Sequence, residues 1–223
     1  MLNDSRDVLL VLLGWSLGTL SPSIQRAILR QRRRAELLRG LAYECHELRF
    51  TLACALYSTR RSLRAFDQST LDLLEPLLLN YHGAGYRDVT PVFATILAEP
   101  DAQLLSWAND EQTQRRDAHG RPLIEWPNPH SLPLLAVHIA NLDLLRMSEQ
   151  ERPLRIDAEL RLFNEQVAYV RLLHERASTT SGPNYQINQG NYQEARRTIG
   201  NREEELIRAI DRLIEPSGSL RHQ

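Results

Sequence analysis

The segment IDAELRLFNEQVAYV, residues 156–170, decides the fold that the sequence predicts. Its seam positions recur at spacings of 4, 3, 4 and 3, and all are apolar: Ile156, Leu160, Phe163, Val167 and Val170. Such a pattern is typical of a helix that packs lengthwise against another helix. We therefore expect a long helix over residues 153–177 with this seam in the core.

A second long helix follows the short turn STTSGPN and runs to about Ile214. Its apolar residues also recur at helical spacing, at Tyr192, Ala195, Ile199, Leu206, Ile210 and Leu213. Two long helices joined by a short turn form an antiparallel hairpin. We expect Phe163 and Val167 to face Ile199 and Leu206 across this hairpin. Glu203 lies between these apolar positions in sequence, and we expect it on the outer face.

Shorter helices are predicted upstream, over residues 69–81, 91–98, 101–117 and 132–147. Prolines break the chain between the third and the fourth, and no segment alternates in the way of a strand. A capping-box pattern at Ser148–Glu151 marks the start of the first hairpin helix. The sequence therefore predicts an all-α fold, with an N-terminal membrane helix, a long juxtamembrane helix, and a helical bundle that ends in an antiparallel hairpin.

The juxtamembrane helix is predicted to begin at Ser21-Pro22, because serine caps helices and proline fits their first turn. It continues to about Phe66 and is strongly basic. From Arg26 to Phe66, ten arginines face three acidic residues, a local charge of +7, whereas the chain from Asp67 onward carries −7. This polarity predicts a surface or partner on the basic side, and the alternative is that the charge run is a solvated helix face.

The membrane helix is predicted from the uncharged run VLLVLLGWSLGTLSPSIQ, residues 8–25. As a helix it is about 27 Å long, close to the roughly 30 Å of bilayer hydrocarbon. The residues that mark the span are Val8, Leu12, Gly14, Gly18 and Leu20. Two of them, Gly14 and Gly18, have the G-x-x-x-G spacing that lets two helices approach closely.

An arginine cluster follows this run: Arg26, Arg30, Arg32, Arg33 and Arg34. Positive charge beside a span stays on the cytoplasmic side and attracts anionic headgroups. The predicted location is therefore the bacterial inner membrane, single-pass, with the N-terminus outside and the body in the cytosol. Two alternatives stay open. The run is a helix buried in the fold or in an interface, or it is a signal sequence, although the usual positive charge before such a sequence is missing.

These features divide the chain into a membrane anchor at 1–24, an arginine-rich juxtamembrane helix at 25–66, a helical domain at 67–216 and a tail at 217–223. An uncharged, amide-rich stretch opens the last helix and is a candidate partner contact. Its residues are Asn184, Tyr185, Gln186, Asn188 and Asn191. The expected partners are a lipid membrane, a second copy through the anchor or the hairpin, and an unidentified protein. Nucleic acid is not expected, because no aromatic residue interleaves the arginine cluster.

Several catalytic classes are excluded because the chain has no lysine. Walker A loops, Schiff-base chemistry and kinase-type catalysis all need one. His46-Glu47 begins a zinc-protease motif, but Phe50 stands where its second histidine belongs. The two cysteines, Cys45 and Cys54, are too far apart on one helix for a disulfide and too few for a zinc site. We therefore predict no catalytic residue, no metal site and no cofactor.

The layout resembles that of small, uncharacterised bacterial single-pass inner-membrane proteins with an N-terminal anchor and a cytosolic helical domain. The residues that carry the resemblance are Val8–Ile24, Arg26–Arg39 and the hairpin with Leu162-Phe-Asn-Glu165. It implies a membrane-anchored helical interaction or scaffold protein that is not an enzyme. The alternative is a membrane-acting effector or sensor, of defence or toxin type, whose helical body responds to a ligand. A soluble helical enzyme is the least favoured function.

Overall fold

A computed structural model of the chain describes residues 2–79, 81, 101–110, 129–182 and 184–214. These residues form helices and connecting turns, with no strand among them. The predicted all-α class is therefore confirmed.

The first helix, α1, spans Leu2–Ser62, and α2 spans Gln68–Leu79. Helix α3 spans Asp101–Asn109, and α4 spans Pro133–His138 before a 3₁₀ segment at Ile139–Leu144. The two hairpin helices are α5, Met147–Thr179, and α6, Asn184–Ile214. The helix predicted over 91–98 and the tail at 217–223 lie outside the described residues.

Helix α1 does not begin at Ser21-Pro22 as predicted, since one continuous helix runs through Pro22. The predicted membrane span at residues 8–25 is also wrong. Among the residues that the structure describes, no helix combines the length and the apolar character that crossing a bilayer requires. The reason lies in the second half of the run, where polar and helix-breaking residues dilute the apolar stretch: Ser16, Thr19, Ser21, Pro22 and Ser23. The predicted single-pass inner-membrane location is overturned with the span.

Helix α6 is the centre of the fold, because it packs along both α1 and α5. One seam of α6, with Tyr192, Ile199 and Leu206, is the seam predicted for the hairpin, and all three side chains are buried. A second seam on the adjacent face points toward α1. It contains Arg196, Gly200 and Glu203 at spacings of 4 and 3, and the same spacing continues to Ile207 and Ile210. Helix α6 therefore lies between α1 and α5 and packs against both of them.

The shorter helices cover another side of α1. Phe50 on α1 stacks on Tyr81, with ring centroids 3.8 Å apart. Asn109 joins the end of α3 to the chain after α1, since its Oδ1 accepts from the Phe66 N–H at 3.1 Å and its Nδ2 donates to the Phe66 carbonyl at 2.9 Å. The buried Glu44 carboxylate accepts from the Leu135 N–H of α4 at 3.3 Å.

The start of α5 uses a different cap from the predicted one. The Glu149 carboxylate, and not a Ser148–Glu151 box, accepts from the Arg146 N–H at 2.9 Å. Glu149 also accepts two hydrogen bonds from the Arg34 guanidinium of α1, one of them at 3.0 Å from Nε. One carboxylate therefore caps α5 and ties it to α1.

Phe163 tests the packing of the hairpin. Its side chain is 1% exposed, whereas that of its neighbour Leu162 is 52% exposed. We expect Phe163→Ala to lower the free energy of unfolding by about 3–5 kcal/mol, because it leaves a cavity in the core. Leu162→Ala should cost less than about 1 kcal/mol. Urea unfolding measures both, and equal losses would contradict the packing of α5 on α6.

Candidate functional site

A buried polar layer joins α1 to α6. It consists of Thr59 and Ser62 on α1 with Arg196 and Glu203 on α6. The Arg196 guanidinium donates to the Ser62 hydroxyl, and the Thr59 hydroxyl donates to Glu203 Oε1 at 3.5 Å. Arg196 is 4% exposed and Glu203 is fully buried. The layer thus places two ionisable groups inside a helix–helix interface.

Glu203 supplies the carboxyl group of the layer, and its pKa is strongly shifted. Burial raises its pKa to about 8, and the Thr59 hydrogen bond and the positive charges of Arg60 and Arg196 oppose that rise only in part. Among the residues that the structure describes, its Oε2 atom has no hydrogen-bond partner. The side chain is therefore protonated at neutral pH and has no access to a substrate.

Two ion pairs lie at the edges of this interface. Arg60 donates to Asn201 at 3.0 Å and to Glu204 at 3.1 Å, and Arg49 pairs with Asp211 at 2.5 Å. Arg49 comes before Arg60 on α1, but its partner Asp211 comes after Glu204 on α6. The two helices therefore run antiparallel. Gly200 allows their close approach, because a Cβ there would lie 3.2 Å from Thr59 Cγ2. These contacts set the register of α6 on α1.

The predicted position of Glu203 on the outer face is wrong. The prediction rested on the apolar seam of α6 alone, and the second seam was missed for that reason. A signal for that seam was present, because positions 196, 200, 203, 207 and 210 keep the heptad spacing although three of them are not apolar. The buried polar layer was overlooked because polar residues were assigned to the surface by type.

An open groove of about 200 Å³ runs along the outer side of the hairpin. Its walls carry both signs of charge, from Arg155, Arg202 and Arg212 and from Glu159 and Glu205. Arg202 and Glu205 pair with each other at 2.7 Å. Among the described residues no three His, Cys, Asp or Glu side chains could hold a metal ion together. Burial also raises the pKa of Cys45 to about 12, so its thiol is a poor nucleophile.

The predicted span residues lie in the part of α1 that we call the N-terminal arm, residues 2–29. Among the described side chains of α1, Leu37 is the first apolar one that packs on the core. The described large apolar side chains of the arm are 47–70% exposed: Val8, Val11, Leu12, Trp15, Ile24, Ile28 and Leu29. Gly14 faces open space, and the placement of Gly18 and Leu20 against their surroundings lies outside what the structure describes.

Some arginines of the cluster are exposed to solvent, and others contact the body of the protein. Arg26, Arg32 and Arg33 are exposed. Arg30 donates to the Asp143 carbonyl at 3.3 Å, and Arg34 binds Glu149. The Arg34 hydrogen bond keeps the pKa of Glu149 below its usual value. These last two arginines therefore hold α1 against the start of α5.

The amide-rich stretch lies at the tip of the hairpin. Asn184, Tyr185, Gln186 and Asn191 are exposed, and Asn188 donates to the Thr180 hydroxyl at 2.9 Å. The last contact closes the turn between α5 and α6. No contact joins these residues to the polar layer or to the arm, within the part of the chain that the structure describes.

No protein-family profile, characterised protein or solved structure matches the chain.

The buried Glu203 carboxyl predicts that the free energy of unfolding depends on pH. Its pKa is 4.5 in the unfolded chain and about 8 in the fold, so between these values the folded protein holds a proton that the unfolded chain has lost. This contribution to stability is complete below pH 4.5 and declines as the pH rises to about 8. The substitution Glu203→Gln preserves the size and shape of the side chain but removes its ability to ionise. We expect the variant to be more stable than the wild type at pH 8 by on the order of 5 kcal/mol, and nearly equal at pH 4.5.

Urea unfolding at a series of pH values measures this difference. The control is Glu194→Gln, because Glu194 is on the same helix and its side chain is 71% exposed. The control should follow the wild-type pH dependence. A Glu203→Gln curve parallel to the wild-type curve would contradict the buried, protonated carboxyl.

The close approach of α1 and α6 at Gly200 predicts that a side chain added there is destabilising. Gly200→Leu should lower the free energy of unfolding by about 1–3 kcal/mol, because the side chain would meet Thr59. Gly190 on the same helix has nothing within 4 Å of an added Cβ. Gly190→Leu should therefore raise stability by about 0.5–1 kcal/mol through helix propensity. Thermal unfolding of both variants checks this, and stabilisation by both would be inconsistent with close approach at Gly200.

Proposed function

We propose that the chain is a non-enzymatic helical scaffold protein that associates with further copies of itself through the N-terminal arm. The observation that carries the proposal is the exposure of large apolar side chains along the arm, up to 70% at Val11. Contiguous apolar surface of this kind marks interaction sites in proteins.

The physical cost of an isolated arm supports the proposal. Most of the stability of a protein helix comes from the packing of its apolar face, and not from the helix alone. The arm lies outside the core, which on α1 begins near Leu37. A partner helix would remove its apolar side chains from water, with about 25 cal/mol gained for each Å² of apolar surface.

A second copy fits the arm better than a strongly charged partner does. Residues 8–25 carry no charge, so two such segments approach each other without like-charge repulsion. Glycines at positions 14 and 18 permit a short distance between two helix axes. The polar layer between α1 and α6 supplies a rigid base, because it fixes the helix that carries the arm.

Val11 tests this function. We expect the wild-type chain to form dimers or larger oligomers, and Val11→Arg to weaken this association at least tenfold, because a charge replaces an apolar contact (about 1.5 kcal/mol or more per side chain). Sedimentation velocity over a range of protein concentrations measures the association.

Val137→Arg is the matched control. Val137 is 72% exposed, against 70% for Val11, but it lies on α4 and not on the arm. The control should associate as the wild type does, and both variants should keep the wild-type midpoint of urea unfolding at low protein concentration. A wild-type chain that stays monomeric, or equal effects of both substitutions, would overturn the proposed function.

A further inference from the structure

The arrangement of charge along α1 determines how two arms meet. We infer that two copies pair their arms antiparallel, about a two-fold axis near residues 16 and 17, and that the acidic and basic ends of the arm select this orientation. The inference rests on the proposed self-association and names its geometry. It makes the dimer a rod with a helical bundle at each end.

The exposed arginines disfavour the parallel alternative. Parallel pairing in register would place Arg26, Arg32 and Arg33 of one copy beside the same residues of the other, at the 8–10 Å that is typical between packed helix axes. That distance is close to the Debye length of about 8 Å at physiological salt, so the repulsion between these like charges is weakened by screening but not abolished. Antiparallel pairing about the midpoint of the uncharged run sets Arg26 level with residue 7. The two Arg26 residues then lie about 28 Å apart, well beyond that screening length.

The first turns of α1 supply the opposite charge. The sequence places Asp4 and Asp7 before the uncharged run, with Arg6 between them, and the arginine cluster after it. Antiparallel pairing therefore brings the acidic end of each arm level with the basic end of the other. The two-fold axis repeats this complementarity at both ends, as expected for an isologous dimer.

Side-chain size agrees with the same register. When residue i lies level with residue 33 − i, as this midpoint requires, the large Trp15 falls opposite Gly18 in both halves of the dimer. Parallel pairing would set Trp15 against Trp15. A large residue opposite a small one lets helix surfaces interdigitate without a gap. Trp15 is 69% exposed in the single chain.

The geometry has a consequence for function. Each arm joins its bundle at Arg30, the first residue of α1 with a described contact to the 3₁₀ segment. In the antiparallel register, Arg30 of one copy lies level with residue 3 of the other, so the two attachment points are about 40 Å apart. The dimer would therefore act as a spacer that holds two identical bundles at a set distance.

Charge reversal tests the orientation. The acidic-end variant is Asp4→Arg with Asp7→Arg, and the basic-end variant is Arg26→Asp with Arg32→Asp. Arg30 and Arg34 are left unchanged because they contact the body. Antiparallel pairing predicts that each variant dimerises at least tenfold more weakly than the wild type, since attraction becomes repulsion at both ends. A chain with all four substitutions should regain wild-type affinity, as measured by sedimentation equilibrium.

A cross-link reads the orientation independently of affinity. Val8→Cys and Gln25→Cys chains are mixed and treated with a short bismaleimide, and they should form a cross-linked mixed dimer. The Val8→Cys chain alone should not cross-link beyond the wild-type level, which is set by Cys45 and Cys54. A Val8→Cys homodimer, or charge reversals without effect on a stable dimer, would overturn the antiparallel geometry while leaving the proposed function intact. A wild-type monomer would overturn both.

Discussion

The interface between α6 and its two neighbours is the constraint on which the rest of the structure depends. Helix α6 carries two seams on adjacent faces, one packed on α5 and one on α1. Helix α5 borders solvent on much of its remaining surface, and the shorter helices cover another side of α1. The fold is therefore held together through one central helix, and its register on α1 determines where the arm begins relative to the bundle.

The polar residues in that interface have a cost as well as a use. An isolated buried carboxyl loses its hydration, which is why the pKa of Glu203 rises to about 8 and the group stays protonated. Arg196 is also desolvated, and burial lowers its pKa. An apolar pair at these positions could give equal or greater stability. What the polar pair adds is selectivity, because Arg196 meets Ser62 and Glu203 meets Thr59 in only one alignment of the two helices.

The helical type of the segments followed well from local sequence, and so did the positions of α2 and α5, because heptad spacing such as that of residues 156–170 acts within a few residues. The predicted helix at 69–81 appears at Gln68–Leu79, and the predicted 153–177 at Met147–Thr179. Tertiary choices followed less well. The burial of Glu203 depends on α1, which is more than a hundred residues away in sequence, and the heptad spacing of α6 alone does not identify that partner. Arg34 was assigned to a lipid surface for the same reason, since its partner Glu149 is equally distant in sequence.

The N-terminal run illustrates how one pattern supports different structures. An uncharged apolar stretch followed by arginines predicts a membrane span, but the same stretch is also a helix surface that another helix can cover. Two observations separate the readings. No described helix is long and apolar enough to cross a bilayer, and two arginines of the cluster are engaged by Asp143 and Glu149. Because those contacts hold α1 at residues 30 and 34, the arm leaves the bundle in a defined direction. A helix that leaves a bundle in a defined direction can set a distance between two bodies, and a flexible tether of equal length cannot.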